Sequence, residues 1–303
     1  MGLAKRRDCV ATGPMSPTVK AAFWMIGAIT SFTLMAVAGR TVSNELDTFE
    51  IMLFRSLTGI VIVVGVAYYA GTWRQIGRDR LGLHATRNIF HFAGQNLWFY
   101  AITLIPLAQV FALEFTTPVW VILLSPLILK ERLTGIGLLS AGIGFLGILI
   151  VARPDPANIS VGLLAAAACA VFFALTAILT RKLTQTETIT TILFYLTTMQ
   201  AVFGLVFAGF DGDIAVPSLA ALPWVIAIGC AGLLAHFCLT NALRIAPASV
   251  VMPIDFVRLP TIALVGMFLY NEPLELLVFV GAGLIFAANY LNITCAMRRQ
   301  SAR

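Results

Sequence analysis

Apolar and polar positions alternate along this chain in long blocks. Ten stretches are almost continuously apolar: 19–39, 49–70, 83–104, 107–129, 134–152, 160–180, 187–209, 219–243, 248–270 and 274–296. Each is close to the roughly 20 residues a helix needs to cross the hydrocarbon of a bilayer. The breaks between them carry charges, Gly or Pro, as in "GTWRQIGRDR", "KERLTG", "RPDPANIS", "RKLTQTE" and "NEPLE". No break is long enough to hold a soluble domain. The pattern predicts an all-α membrane protein of ten transmembrane helices.

Composition agrees. Of 303 residues 59% are hydrophobic and 11% charged, and mean hydropathy is +0.93. A soluble domain carries about 25% charged residues, so this chain lacks the polar surface to cover itself. Its net charge of +6 is explained by topology rather than by nucleic acid. With the N-terminus in the cytoplasm, the inner segments hold Lys5, Arg6, Arg7, Lys20, Arg74, Arg78, Arg80, Lys130, Arg132, Arg181, Lys182, Arg244, Arg298, Arg299 and Arg303. The outer segments hold Arg40, Arg153 and most loop acids. This positive-inside bias predicts a multi-pass bacterial inner (plasma) membrane protein with both termini cytoplasmic. The basic N-terminus leads into an apolar run longer than a signal peptide's core, which reads as a retained first helix. The five cysteines form no C-x-x-C pair and read as small core residues. His84, His91 and His236 have no metal-ligand spacing, and neither metal nor cofactor is implied.

A shift of 141 positions lays the chain on itself: Pro106 on Pro247, Glu114 on Asp255, Glu131 on Glu272, Gly142 on Gly283, Arg40 on Arg181, and "AITLIP" on "ALRIAP". Two five-helix halves follow, 1–152 and 153–303. Five is odd, so the second half enters from the opposite side: an inverted repeat, a construction many secondary transporters use.

These features resemble the EamA-type family of the drug/metabolite transporter superfamily. The resemblance rests on "FEIMLFRSL" opening the second span, "PLILKERLTGIGLLSAGIGFLGILIV" across the fourth and fifth, and "FLYNEPLELLVFVGAGLIFAANY" across the ninth and tenth. "FEIMLFR", "LHATRNIF" and "ALRIAPASVVMPIDF" look most like a branch holding S-adenosylmethionine-uptake-type and riboflavin-type permeases. The resemblance implies a metabolite permease whose cavity is lined by the first four helices of each half, with the fifth at the side. It also marks Glu131 and Glu272 as a recurring corner, read as structural: capping the next helix or pairing in the loop.

An ionisable side chain inside a bilayer faces a cavity or a partner. Candidate substrate-binding residues are Arg55 in the second span; Arg87, His91, Gln95 and Trp98 in the third; Glu114 and Thr117 in the fourth; Gln200 in the seventh; His236 in the eighth; Asp255 and Arg258 in the ninth. Arg87, His91 and Gln95 recur every four residues with Trp98 three further on, one stripe of a helix. Glu114 has three readings: an ion pair with Arg55 or Arg87, a contact to a cationic ligand, or a proton carrier. Asp255, with Arg258 one turn away, reads as a local ion pair. Trp24, Phe92, Tyr100 and Trp120 are further stacking candidates or packing residues. Pro118, Pro253 and Pro260 near the two acids bend helices and free carbonyls.

The expected function is a secondary transporter that moves a small organic metabolite by alternating access. The metabolite is amino-acid-, nucleoside- or vitamin-like and zwitterionic or anionic. Expected partners are that metabolite, membrane lipids and protons as coupling ion, in a monomer or homodimer, with no nucleic acid. No Walker A loop is present, so ATP is not the energy source. A membrane-embedded enzyme and a channel are the alternatives: "FDGD" at 210–213 lacks the G-x-G-D spacing of an intramembrane protease, and one chain with an inverted repeat is not how a channel builds its pore.

Overall fold

The computed structural model describes residues 17–129, 135–152, 160–210, 212–246, 251 and 254–301. The helices are α1 (Pro17–Val42), α2 (Thr48–Tyr69), α3 (Leu81–Leu104), α4 (Leu107–Glu114), α5 (Thr117–Leu129), α6 (Gly135–Ala152), α7 (Val161–Leu183), α8 (Ile189–Ala208), α9 (Leu222–Ile245), α10 (Arg258–Tyr270) and α11 (Leu276–Ser301), with 3-10 turns at Trp73–Gln75 and Asp255–Val257. No strand occurs among the described residues. Among the described residues six segments are long and apolar enough to cross a membrane: Pro17–Val42, Thr48–Tyr69, Leu107–Ile128, Val161–Leu183, Ile189–Ala208 and Leu222–Ile245. Shorter apolar helices occupy Gly135–Val151, Arg258–Tyr270 and Leu276–Ala288. α3 has the length but not the hydropathy, because Arg87, Asn88, His91, Gln95 and Asn96 interrupt it.

The two halves pack mainly on each other. α1 lies against α9, and its repeat mate α7 against α3. α2 packs on its own mate α8, α6 on α11, and α4 on α10. α2 also meets α9, as α8 meets α3. Exchanging the halves leaves this pattern of contacts unchanged. The caps follow it too. Asp47 caps α2, accepting from Glu50 N at 2.8 Å while its own N–H donates to Glu50 Oε2 at 2.8 Å. Its mate Thr188 caps α8 through Thr191 N. Glu50 then accepts from Ala215 N at 2.6 Å in the loop after α8, and Thr191, its mate, donates to Gln75 O at 2.9 Å in the loop after α2.

Close helix contacts use glycine. A Cβ on Gly204 would sit 2.8 Å from Leu53 Cα, joining α8 to α2, and one on Gly147 would sit 2.6 Å from Gly281 O, joining α6 to α11. Small residues at such contacts let helix backbones approach where no water drives association.

Candidate functional site

The fourth helix of each half leaves regular α-helical winding at the same repeat position. α4 ends at Glu114 and α5 begins at Thr117; in the second half the 3-10 turn begins at Asp255 and α10 at Arg258, each 141 residues on. The first break has a local cause. Pro118 has no N–H to give to the carbonyl four residues back, which belongs to Glu114. The Thr117 hydroxyl donates to that carbonyl instead, at 2.6 Å. The turn tightens, with Thr116 N bonding Leu113 O at 3.0 Å. Pro260 falls inside α10 just after the second break. Pro253 and the preceding residues 247–250, including Pro247, lie outside the described residues, as do Glu131 and Arg153.

The breaks bring two carboxylates onto one guanidinium. Arg258 Nη2 donates to Glu114 Oε1 and to Asp255 Oδ2, each at 2.5 Å. The Trp98 indole N–H donates to the other Glu114 oxygen at 2.7 Å. Arg258 is 2% exposed, and its guanidinium carbon lies 4.9 Å from the Phe32 ring centre, 4.8 Å from that of Phe111 and 5.4 Å from that of Phe115. Cation–π attraction adds to the ion pairs. The Asp255–Arg258 pair is the one its spacing predicts. Glu114, however, pairs with Arg258 of the other half, and neither Arg55 nor Arg87 reaches it.

Beside this cluster lies a cavity of ≈ 70 Å³, several times the space one water needs. α1 lines it with Met25, Phe32 and Met35; α3 with Arg87, His91, Gln95 and Trp98; the first break with Glu114, Phe115, Thr117 and Pro118; α7 with Phe173, Thr176, Ala177 and Thr180; α9 with His236, Leu239, Thr240 and Leu243; the second break with Asp255 and Arg258. Nine of the eleven candidate residues thus meet at one place. α6 and α11 stand aside, as the resemblance implies.

Arg55 and Gln200 do not line this cavity, and neither does any residue of α2 or α8. These two helices pack on each other, so their polar side chains reach a separate small cavity of ≈ 20 Å³. Arg55 covers Gly232, where a Cβ would sit 2.7 Å from its guanidinium. Gln200 supports Arg87 at one remove: its amide donates to Asn88 O at 2.8 Å, and Asn88 Oδ1 accepts from Arg87 Nη1 at 2.9 Å. Arg87 Nε donates to Thr180 at 3.1 Å. Among the further aromatic candidates, Trp24, Phe92, Tyr100 and Trp120 stay outside the cavity.

Several buried polar atoms in the cavity wall have no partner among the described residues: both ring nitrogens of His91, His236 Nε2, Gln95 Nε2, Asp255 Oδ1 and Arg258 Nε. The His91 and His236 rings, one from each half, meet edge to face with centres 4.6 Å apart. Buried polar atoms without partners are rare; six around one cavity mark it as a place for a polar guest. Sequence reasoning missed Thr176, Thr180 and Thr240. The signal was there: with Phe173 and Ala177, Thr176 and Thr180 form an i, i+3, i+4, i+7 face on α7, and Thr240 lies one turn after His236.

Residues 19–153 and 160–294 each match the EamA-like transporter family. The chain belongs to that family. It is therefore a multi-pass membrane permease and not an enzyme. A riboflavin transporter of Brucella anthropi is 29% identical over 271 residues, 88% of this chain and 95% of the other. An S-adenosylmethionine uptake transporter of Rickettsia prowazekii is 24% identical over 281 residues, 92% and 94% of the two chains. One solved crystal structure, 16% identical, superposes with a TM-score of 0.69 over 92% of this chain and 98% of its own, a shared fold.

Proposed function

We propose that this EamA-family protein is a secondary transporter of the bacterial inner membrane that carries a small organic metabolite by alternating access. In this reading α3, α6, α10 and α11 join the six longer apolar segments as spans (α4 and α5 counting as one), giving ten, and the halves 1–152 and 153–303 are inverted repeats with both termini in the cytoplasm. The observation that carries it is the cavity: both halves build it, at matched breaks in matched helices. Discontinuous helices in corresponding positions of two repeats are where such transporters hold their ligand. Rocking one half against the other exposes that place to each side in turn, driven by a solute or proton gradient. One chain holds the whole cavity, so a monomer suffices.

The charge balance narrows the ligand. Arg258 is taken up by Glu114 and Asp255. No described carboxylate pairs with Arg87, whose Nη2 is left without a described partner. The free charge facing the cavity is therefore positive, and around it stand His91, His236 and Gln95 with unused hydrogen-bonding atoms. These four, with Thr117 and Trp98 as wall, suit a flat acceptor-rich or anionic ligand. Of the two compounds in the relatives' names, riboflavin fits this description better than S-adenosylmethionine, a sulfonium cation. Arg55 and Gln200 serve from behind the wall.

The test is uptake into proteoliposomes of labelled riboflavin and labelled S-adenosylmethionine, with counterflow. We expect saturable, counterflow-stimulated riboflavin flux that Arg87→Gln reduces at least ten-fold. Flux that neither saturates nor responds to counterflow would reject a carrier, and a full-rate Arg87→Gln variant would remove Arg87 from the site.

A further inference from the structure

At the far end of the helices that carry the central ion pair lies a second junction between the halves. Glu272 pairs with Arg40 of α1, and both its oxygens accept from the N–H of Leu107, at 3.0 and 3.2 Å. Leu107 is the first residue of α4, whose N-cap position is Pro106 and has no side-chain cap. The first N–H groups of a helix need outside acceptors and carry its positive dipole end. A carboxylate from the other half meets both needs. Glu272 was expected to cap the helix that follows it or to pair in the loop; it caps α4 of the first half and pairs with Arg40 of α1 instead.

The chain is shaped to put it there. α10 is capped by Asn271 in the left-handed conformation, φ 53°, which turns the backbone back so that Glu272 N bonds Gly266 O at 3.1 Å. Gly266 leaves room for this carboxylate, since a Cβ there would press on Glu272 Oε2 and push it aside. The Arg40 guanidinium lies 4.7 Å over the Tyr270 ring, and the Tyr270 hydroxyl donates to Val37 O at 3.2 Å.

One carboxylate thus ties α1, α4 and α10. The eight residues of α4 run from Leu107 to Glu114, and the thirteen of α10 from Arg258 to Tyr270, rods of about 12 and 20 Å. Their inner ends hold the Glu114–Arg258 pair; their outer ends meet at Glu272. Separating the halves on the Arg40 face requires both junctions to part. We propose that Glu272 is a positioning residue of the transport cycle, a latch holding the cavity shut on the Arg40 face, released when that face opens. The inference rests on the alternating-access reading above.

The test needs no substrate. In the full chain with its five cysteines replaced, Met35, which lines the cavity, is changed to Cys. Labelling by a membrane-impermeant maleimide is then timed in right-side-out and inverted vesicles. Glu272→Gln is expected to speed labelling from the Arg40 face at least about ten-fold, equal to about 1.4 kcal/mol in the opening equilibrium, and not from the opposite face. Arg40→Gln, which leaves the cap on α4 in place, moves the same way and carries the test if Glu272→Gln fails to fold. Unchanged rates in the foldable variants, or equal acceleration from both faces, overturn the latch while leaving alternating access standing. A parent Met35→Cys protein labelled fast from both faces at once is an open pore and overturns both.

Discussion

Replacing Arg258 by Leu should destabilise the protein more than replacing Glu114 by Gln, although each removes one end of the same ion pair. Arg258 makes two charge-assisted hydrogen bonds at 2.5 Å, each worth about 1.5–3 kcal/mol, and lies on three aromatic rings. Without it two buried carboxylates lose the one cation that pairs with them among the described residues. Breaking a buried pair from one side costs about 3–5 kcal/mol, and this loss belongs at or above the upper end. Glu114→Gln is milder. The amide oxygen still accepts from Arg258, which keeps Asp255, while the amide nitrogen cannot accept from the Trp98 N–H, so one charge-assisted bond is lost, about 1.5–3 kcal/mol. The two changes should also be coupled: Glu114→Gln in the Arg258→Leu background removes one of the stranded charges, so the double variant is more stable than Arg258→Leu alone. Thermal unfolding of the purified variants in one detergent measures the order and the cycle. Additivity within about 0.5 kcal/mol, or Glu114→Gln as the more damaging change, would refute a shared guanidinium at the core of the site.

Asn88→Ala should raise the KM for riboflavin by about ten-fold or more, the size of one hydrogen bond to a charged group, with kcat little changed, because Asn88 Oδ1 holds Arg87 Nη1; proteoliposome kinetics in wild-type and Arg87→Ala backgrounds check it, and the effect should vanish in the second. Gly147→Leu forces a side chain against Gly281 O, 2.6 Å from the first added carbon, and should lower stability by about 1–3 kcal/mol without changing KM, since neither α6 nor α11 touches the cavity. Asp47→Ala removes the α2 capping box and should cost about 1 kcal/mol, read as a lower melting temperature with transport affinity intact.

The parts of the site legible in the sequence are those set by local spacing. The stripe Arg87–His91–Gln95–Trp98 follows from helix periodicity and lines the cavity as a unit. The Asp255–Arg258 pair follows from one-turn spacing, and the helix break follows from Pro118. Partners distant in sequence were not legible. Three arginines lie in apolar spans, and nothing local says which one Glu114 meets; the choice is made by packing, which puts α4 on α10 and keeps α2 out. A signal for the exclusion of α2 did exist. Gly59 meets Thr197 of α8, Gly204 meets Leu53 of α2, and Gly229 meets Thr58 of α2, so small residues mark a face of close helix contact that leaves no room for a ligand. The small residues, not the polar ones, tell which face of α2 is which.

The repeat also explains why the cavity is polarised. A cavity with strict two-fold symmetry offers a ligand two equivalent poses and faces each side of the membrane alike. Here the acids are kept as a pair, Glu114 and Asp255, while the residues around them have diverged: Thr117 against Arg258, Gln95 against His236, His91 against Gly232, Arg87 against Ile228. The second half supplies the cation that both acids share, and the first supplies Arg87, which pairs with no acid among the described residues. Each divergence removes one way of turning the ligand over. Gly232, where a side chain would have matched His91, is the notch that Arg55 fills, so even the apparent gap in the symmetry is occupied by charge. Restoring symmetry at one such pair, with Gln95→His, adds a second His236-like group to the wall and should broaden ligand choice in the uptake assay rather than abolish transport, because the ion-paired frame that joins the halves is untouched.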